Sequence, residues 1–250
     1  MAVSIYTGTP GSGKSYRATS NVHRATKRKI NVIANFIIDL PEEQKERFTY
    51  IPTEKMSPAE FVKFSRERHE KDKKGRISRE SQTIIMIDEA SILFNSREFN
   101  RKDRQDWIVF FSQHRKLGFD VILITQMDRS IDRQIRGVIE YEWTHRKISN
   151  WGAKGLFVRI MKGGRSFVAI QKWYCMKTKD GILSREYFGI NKKIASTYDT
   201  FSMFSAADEA ALEKQTFSEK HKSSFENLKN ALQGKREKET EDGETQHEAG

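Results

Sequence analysis

An α/β fold with a central, mostly parallel sheet is predicted by three observations. Residues 3–6, 31–38, 83–87 and 120–125 are strand-sized apolar runs separated by helical stretches. They are continuous rather than alternating, the pattern of parallel strands covered by helices on both faces. The first run passes straight into Gly8-Thr9-Pro10-Gly11-Ser12-Gly13-Lys14-Ser15, and the third ends in Asp88-Glu89.

Along the chain, strand 3–6 leads through a glycine-rich loop to a helix that begins near Lys14. The run 31–38 is the second strand. Residues 41–79 are charged and read as an exposed insertion, with a helical patch at 59–69 and a loop at Lys73-Lys74-Gly75. The third strand, 83–87, is apolar or β-branched throughout. Residues 101–116 are helical, with Trp107, Ile108, Phe110, Phe111 and Leu117 on the apolar side and Gly118 as the stop. The fourth strand, 120–125, precedes a short basic helix at 128–136 and a further strand at 137–144. Residues 155–161 and 165–174 flank Lys162-Gly163-Gly164, a hairpin signal. Residues 1–198 are therefore read as one domain with a β-hairpin extension. Residues 199–233 form a helix-prone polar segment, and 234–250 are a charged tail too poor in apolar residues to fold.

Composition narrows the function. Of the 250 residues 36% are hydrophobic and 32% charged, and no run approaches the roughly 18 apolar residues of a membrane span. A polytopic membrane protein is excluded, and a soluble or peripheral one is expected. The single cysteine, Cys175, excludes an intramolecular disulfide framework and a Cys-rich zinc site, and it is expected to be structural. Residues 1–200 hold 38 Lys and Arg against 23 Asp and Glu, whereas residues 201–250 hold 7 against 11. A basic body of this kind suits a polyanion, either nucleic acid or an anionic membrane surface.

The segment Gly8–Ser15 fits G-x-x-x-x-G-K-[ST] in full, between a strand and a helix. Its glycines let backbone N–H groups converge on phosphate oxygens, and the helix N-terminus adds positive potential. Lys14 can bridge the β and γ phosphates of ATP, and the Ser15 hydroxyl can ligate Mg²⁺. Gly8, Thr9, Pro10, Gly11, Ser12, Gly13, Lys14, Ser15 and the following Tyr16 are the candidate nucleotide contacts. Asp88, at the end of a buried strand, can hold the metal through water, and Glu89 can polarise an attacking water. The second acid suits a hydrolase, whose nucleophile is water. Gln126, just past the fourth strand, can contact the γ-phosphate or its water if that strand lies between the other two. Arg129, Arg133 and Arg136 are spaced to share one helix face, and any of these or Arg115 could act on a neighbouring subunit's nucleotide; Arg136 is the catalytic candidate among them. A basic face for DNA or solvent is the competing reading. His114 has no metal-binding partner at useful spacing and is read as structural. Aromatics mixed with cations from Trp143 to Trp151 and in Lys172-Trp173-Tyr174 suit either strand packing or base stacking, with packing preferred.

Together the first strand with Gly8–Ser15, the run Ile85-Met86-Ile87-Asp88-Glu89-Ala90, and the stretch from Phe111 through His114-Arg115-Lys116-Leu117-Gly118 to Gln126 resemble the zonular occludens toxin family, which includes the assembly ATPase of filamentous phages. Residues 131–136 and the basic strand ending at Arg146-Lys147 also resemble the family, and the likeness covers roughly residues 1–190. The resemblance implies a P-loop NTPase of the additional-strand class, with an acid after the Walker B aspartate and the P-loop strand central in the sheet. It implies a homo-oligomeric ring, such as a hexamer, that uses ATP and Mg²⁺ to assemble and export virions through the host inner membrane. Coat or assembly proteins, or DNA, would be its partners. Family members carry a membrane-spanning helix after the ATPase domain; these residues contain none, so a separate membrane protein is expected to recruit the chain from the host cytoplasm to the inner face of the cell membrane. Competing readings are a DNA-translocating ATPase of plasmid or genome transfer, a nucleotide-dependent switch or scaffold with little turnover, and a small-molecule kinase, against which the Asp88-Glu89 pair argues.

Overall fold

In the computed structural model, which describes residues 2–97, 101–148, 166–176 and 181–198, eight strands form one sheet. They are β1 (Val3–Thr7), β2 (Asn31–Ala34), β3 (Phe48–Tyr50), β4 (Thr83–Ile87), β5 (Phe119–Ile124), β6 (Tyr141–Lys147), β7 (Ser166–Trp173) and β8 (Ile182–Gly189). Their order is β3-β2-β4-β5-β1-β6-β7-β8. Pairing is parallel from β3 to β6 and antiparallel from β6 to β8.

The continuous apolar runs are explained by burial on both faces. Val3, Ile5, Ile85, Ile87, Val121 and Leu123 point into one core, and Tyr6, Met86 and Ile124 into the other. The first core is aromatic. Phe61 of α3 (Pro58–Arg68) and Trp107, Phe110 and Phe111 of α5 (Arg104–Gln113) stack with Phe94 and Phe119. The second core is built by Ala18, Val22 and Ala25 of α1 (Lys14–Lys27). Short helices α2 (Glu42–Lys45), α4 (Ala90–Leu93), α6 (Arg133–Arg136) and α7 (Lys192–Ala195) link these elements.

Several expectations are corrected. The second strand stops at Ala34 rather than residue 38, because Asn35 turns its side chain onto the backbone of Asp88. The charged stretch 41–79 is not wholly an exposed insertion. It contributes edge strand β3, paired with β2, and buries Met56 and Phe61 in the first core. The helix expected at 128–136 is split into a 3₁₀ turn at Asp128–Ser130 and α6. Asp132 causes the break by capping α6, its Oδ1 accepting from the amides of Gln134 and Ile135. Arg129 therefore does not share a helix face with Arg133 and Arg136. The strand expected at 137–144 runs instead from Tyr141 to Lys147.

In the hairpin expected from 155–161 and 165–174, the first arm lies outside the described residues. The second arm, β7, pairs on one side with β6 and on the other with β8, a strand the sequence reading missed. Cys175, expected to be structural, is exposed after β7. The segments 199–233 and 234–250 lie outside the described residues.

Candidate nucleotide-binding site

The loop between β1 and α1 lies at the carboxyl end of the parallel strands, the edge where open α/β sheets bind ligands. Two glycines are demanded by sterics. Gly8 has φ +144°, and a Cβ there would stand 2.5 Å from the carbonyl oxygen of His145. Gly13, which starts α1 with φ +91°, would bring a Cβ to 3.0 Å from the ring of Phe167. The loop is thus wedged under β6 and β7, and its backbone is free to follow a ligand's contour.

Lys14 is buried and folds back over the loop, donating from Nζ to the carbonyls of Gly8 (2.7 Å) and Thr9 (3.2 Å). Burial lowers its pKa, against the opposing pull of Asp88 and Glu89. The Ser12 hydroxyl oxygen is buried without a protein hydrogen-bond partner among the described residues, as a group awaiting an anionic acceptor would be. Ser15 Oγ stands 3.3 Å from Asp88 Oδ2.

Asp88 is buried at the end of β4. Its backbone N–H donates to Asn35 Oδ1 and its carbonyl accepts from Asn35 Nδ2, a two-point clamp at 2.7 and 2.9 Å. Burial raises its carboxyl pKa, countered by hydrogen bonds from the Glu89 amide, Ser15 and Tyr198. Glu89 starts α4 with φ 45° and ψ 47°, a left-handed conformation that costs a non-glycine residue of order 1 kcal/mol or more. Burial and then the neighbouring Asp88 charge raise its pKa.

Strand β5 lies between β4 and β1, the condition on which the role of Gln126 depended. The Gln126 carbonyl accepts from the Gly8 amide at 3.3 Å, and its side chain lies near enough to Glu89 to offset part of the rise in the Glu89 pKa. Lys14, Ser15, Asp88, Glu89 and Gln126, from three separate stretches of chain, therefore meet at one edge of the sheet. A cavity of about 580 Å³ borders Gly8, Thr9 and Gln126, and its wall mixes Arg129, Arg146 and Lys147 with Asp128 and Glu142.

This arrangement fits a magnesium nucleotide. No cluster of three His, Cys, Asp or Glu able to hold a metal exists among the described residues. One hydroxyl facing one carboxylate is a partial set of hard oxygen donors, suited to Mg²⁺ that takes its remaining ligands from phosphates and water.

The other candidates lie elsewhere. The Tyr16 ring stacks on Phe188 and its hydroxyl accepts from the Asn191 amide, so the side chain is turned to β8 and α7. Arg136 lies near Tyr174 of its own chain, its charge opposing the rise in the Tyr174 pKa, and Arg115 pairs with Glu140 at 2.6 Å. His114 is buried with Nδ1 on the Phe111 carbonyl. Trp143 packs under Arg17, whereas Trp173 meets Tyr141 edge-on and is 42% exposed; Trp151 lies outside the described residues.

Sequence reasoning missed Arg17, His145 and Tyr198. The guanidinium of Arg17, one turn into α1, lies 3.9 Å above the Trp143 ring and pairs with Glu186 of β8 at 2.8 Å. His145, beneath Gly8, is held neutral with a pKa lowered to about 3, by burial first and by Arg17 second. The Tyr198 hydroxyl, pushed up to about 12 by burial and the Asp88 charge, reaches Asp88 Oδ2 at 3.4 Å. None of the three stands in a motif, so no local signal marks them.

The chain is similar to known proteins in sequence and in fold. The family model described as Zonular occludens toxin (Zot) matches residues 2–182. Gene 1 protein of Enterobacteria phage I2-2 is 31% identical over 178 residues, covering 66% of this chain and 46% of that protein. Gene 1 protein of Enterobacteria phage fd is 28% identical over 147 residues, covering 56% of this chain and 40% of that protein. The match thus spans less than half the length of these curated relatives. The crystal structure of the N-terminal domain of zonular occludens toxin from Neisseria meningitidis shares the fold, with a TM-score of 0.50 at 18% identity over 79% of this chain and 98% of that one. With the model matched over well more than half its length, the chain belongs to the zonular occludens toxin family.

Proposed function

We propose that this chain is a magnesium-dependent ATP hydrolase that drives filamentous phage assembly and export across the host inner membrane. The observation that carries the reading is the meeting of Glu89 and Gln126 beside the Lys14 and Ser15–Asp88 groups, with β5 between the strands that bear them. A switch that only binds nucleotide has no use for a strained, partly buried second carboxylate beside a glutamine.

In this reading the loop amides and Lys14 bind the triphosphate, with Lys14 exchanging its bonds to the Gly8 and Thr9 carbonyls for phosphate oxygens. Ser15 and Asp88 would hold Mg²⁺, which supplies charge neutralisation to the phosphates when bound. Glu89, its basicity raised by burial and by Asp88, takes the proton of the attacking water. Gln126 orients that water and holds Glu89 toward it. An arginine of a neighbouring subunit in a homo-oligomeric ring, Arg136 or Arg129, completes the site. Coat or assembly proteins, or DNA, are moved, and a membrane-protein partner holds the ring at the inner face of the host membrane. No helix among the described residues is long and apolar enough to cross a membrane.

Glu89→Gln tests the reading. It is expected to keep ATP binding and to lose turnover by orders of magnitude, as measured by phosphate release in parallel with equilibrium nucleotide binding. Turnover at the parent rate would reject hydrolysis at this site. Stimulation by DNA against copurification with a coat protein distinguishes the transported polymers.

A further inference from the structure

Residues 191–198 cross the outside of α1 and end at the carboxylate that the proposed function assigns to magnesium. The crossing is held at several points. The Asn191 amide donates to Tyr16 Oη at 2.8 Å, and His23 Nε2 lies 3.0 Å from Thr197 Oγ1. The Asp39 amide donates to the Thr197 carbonyl at 3.0 Å, and Tyr198 forms an isolated β-bridge with Ile38. The Tyr198 ring meets Phe36 edge-on at 5.9 Å. These contacts fix where the hydroxyl goes.

Around Asp88 the hydrogen bonds divide unequally. Oδ1 accepts from the Glu89 amide at 2.9 Å. Oδ2 is shared by Ser15 Oγ at 3.3 Å and Tyr198 Oη at 3.4 Å. Both distances to Oδ2 exceed the 2.5–3.0 Å of a good O–H···O bond, so the carboxylate is loosely held by either hydroxyl alone. A Ser15 hydroxyl that ligates a metal through its oxygen has only its single proton left to hold Asp88. Tyr198 is the second side-chain donor to Oδ2.

We infer that Tyr198 is a positioning residue of the magnesium site, whose hydroxyl, beside that of Ser15, holds Asp88 in the orientation the metal needs. The inference rests on the proposed nucleotide reading. It adds a group from the far end of the described fold that no part of the loop motif predicts. Partners that orient metal ligands from outside the coordination sphere commonly shift metal affinity by roughly 10–100-fold when removed.

The test is calorimetric titration of the full chain with the non-hydrolysable ATP analogue AMPPNP, in EDTA and across a series of Mg²⁺ concentrations. Tyr198→Phe keeps the ring on Phe36 and the backbone bridge, so its thermal midpoint in EDTA is expected to match the parent. Its affinity for metal-free AMPPNP is expected to be unchanged, while the Mg²⁺ concentration that half-saturates the tightening of binding rises roughly 10-fold or more. A half-saturating Mg²⁺ concentration for Tyr198→Phe equal to the parent's overturns the inference and leaves the nucleotide reading standing. A parent that fails to bind AMPPNP with Mg²⁺ overturns both.

Discussion

The parallel strands β2, β4, β5 and β1 and the antiparallel β6–β8 share one sheet but are held by different means. In the parallel part, strand residues are buried on both faces, and Ile33, Ile85, Ile87, Leu123 and Ile5 are fully enclosed. The outermost antiparallel strand, β8, exposes Leu183 and Tyr187 by about half. Its opposite face, with Phe167 of β7 alongside, is anchored at a few points to the Gly8–Gly13 loop and α1: Phe167 beside Gly13, Phe188 on Tyr16, and Glu186 on Arg17. The parallel part draws its stability from area removed from water, whereas the extension draws its placement from the Gly8–Gly13 loop. The chemical groups sit on the first, and the loop that orients one of them is wedged under the second.

Three measurements would break or sharpen this contrast. The largest effect is expected in the aromatic core. Phe61→Ala removes a fully buried ring that meets Trp107, Phe110 and Phe119, and should cost about 3–5 kcal/mol in a denaturant titration. A cost as small as that of a surface substitution would mean the two parts are not held differently.

Acid should act next, through the junction. His145 binds its proton near pH 6.5 in the unfolded chain but only near 3 in the fold. Its contribution to stability is therefore complete above pH 6.5 and is lost as the pH falls from 6.5 toward 3, by about 2 kcal/mol at pH 5. His69 and His114, whose values burial also lowers, add in the same direction. Asp88 and Glu89, held above their ordinary values, act in the opposite sense, since the fold binds their protons more readily than the unfolded chain. The pH dependence of the urea midpoint should flatten in His145→Gln; an unchanged slope would remove His145 from the account.

The smallest stability effect is expected at the anchor itself. Arg17→Met keeps the stem packed but loses the cation over Trp143 and the pair with Glu186, which is half in solvent, for a cost of about 1–2 kcal/mol. Trp143 fluorescence should change and nucleotide affinity fall by more than the stability loss explains. Unchanged nucleotide affinity would show that β8 is held by the loop without influencing it.

Much of the site was readable because its residues are contiguous or close a predictable strand. Gly8–Ser15 carries its own geometry in the sign of φ at Gly8 and Gly13, and Asp88-Glu89 announces itself by ending an unbroken apolar run. The parallel strands were read for the same reason, since enclosure on both faces leaves a continuous apolar signature. Strand β8 was missed because half its side chains face outward and its apolar content is diluted by Ser184, Arg185 and Glu186. The arginine face at 128–136 was misread because periodicity does not register a side-chain cap such as Asp132.

From the chain alone followed the phosphate loop, the acid pair and the α/β class, all of which rest on neighbouring residues whose conformational preferences act locally. Contacts between distant positions emerged only on folding: Gln126 on Glu89, Glu186 on Arg17, Tyr198 on Asp88. Each depends on strand order and on how segments cross, and those are settled by the burial of the whole sheet rather than by any stretch of sequence near the residues concerned.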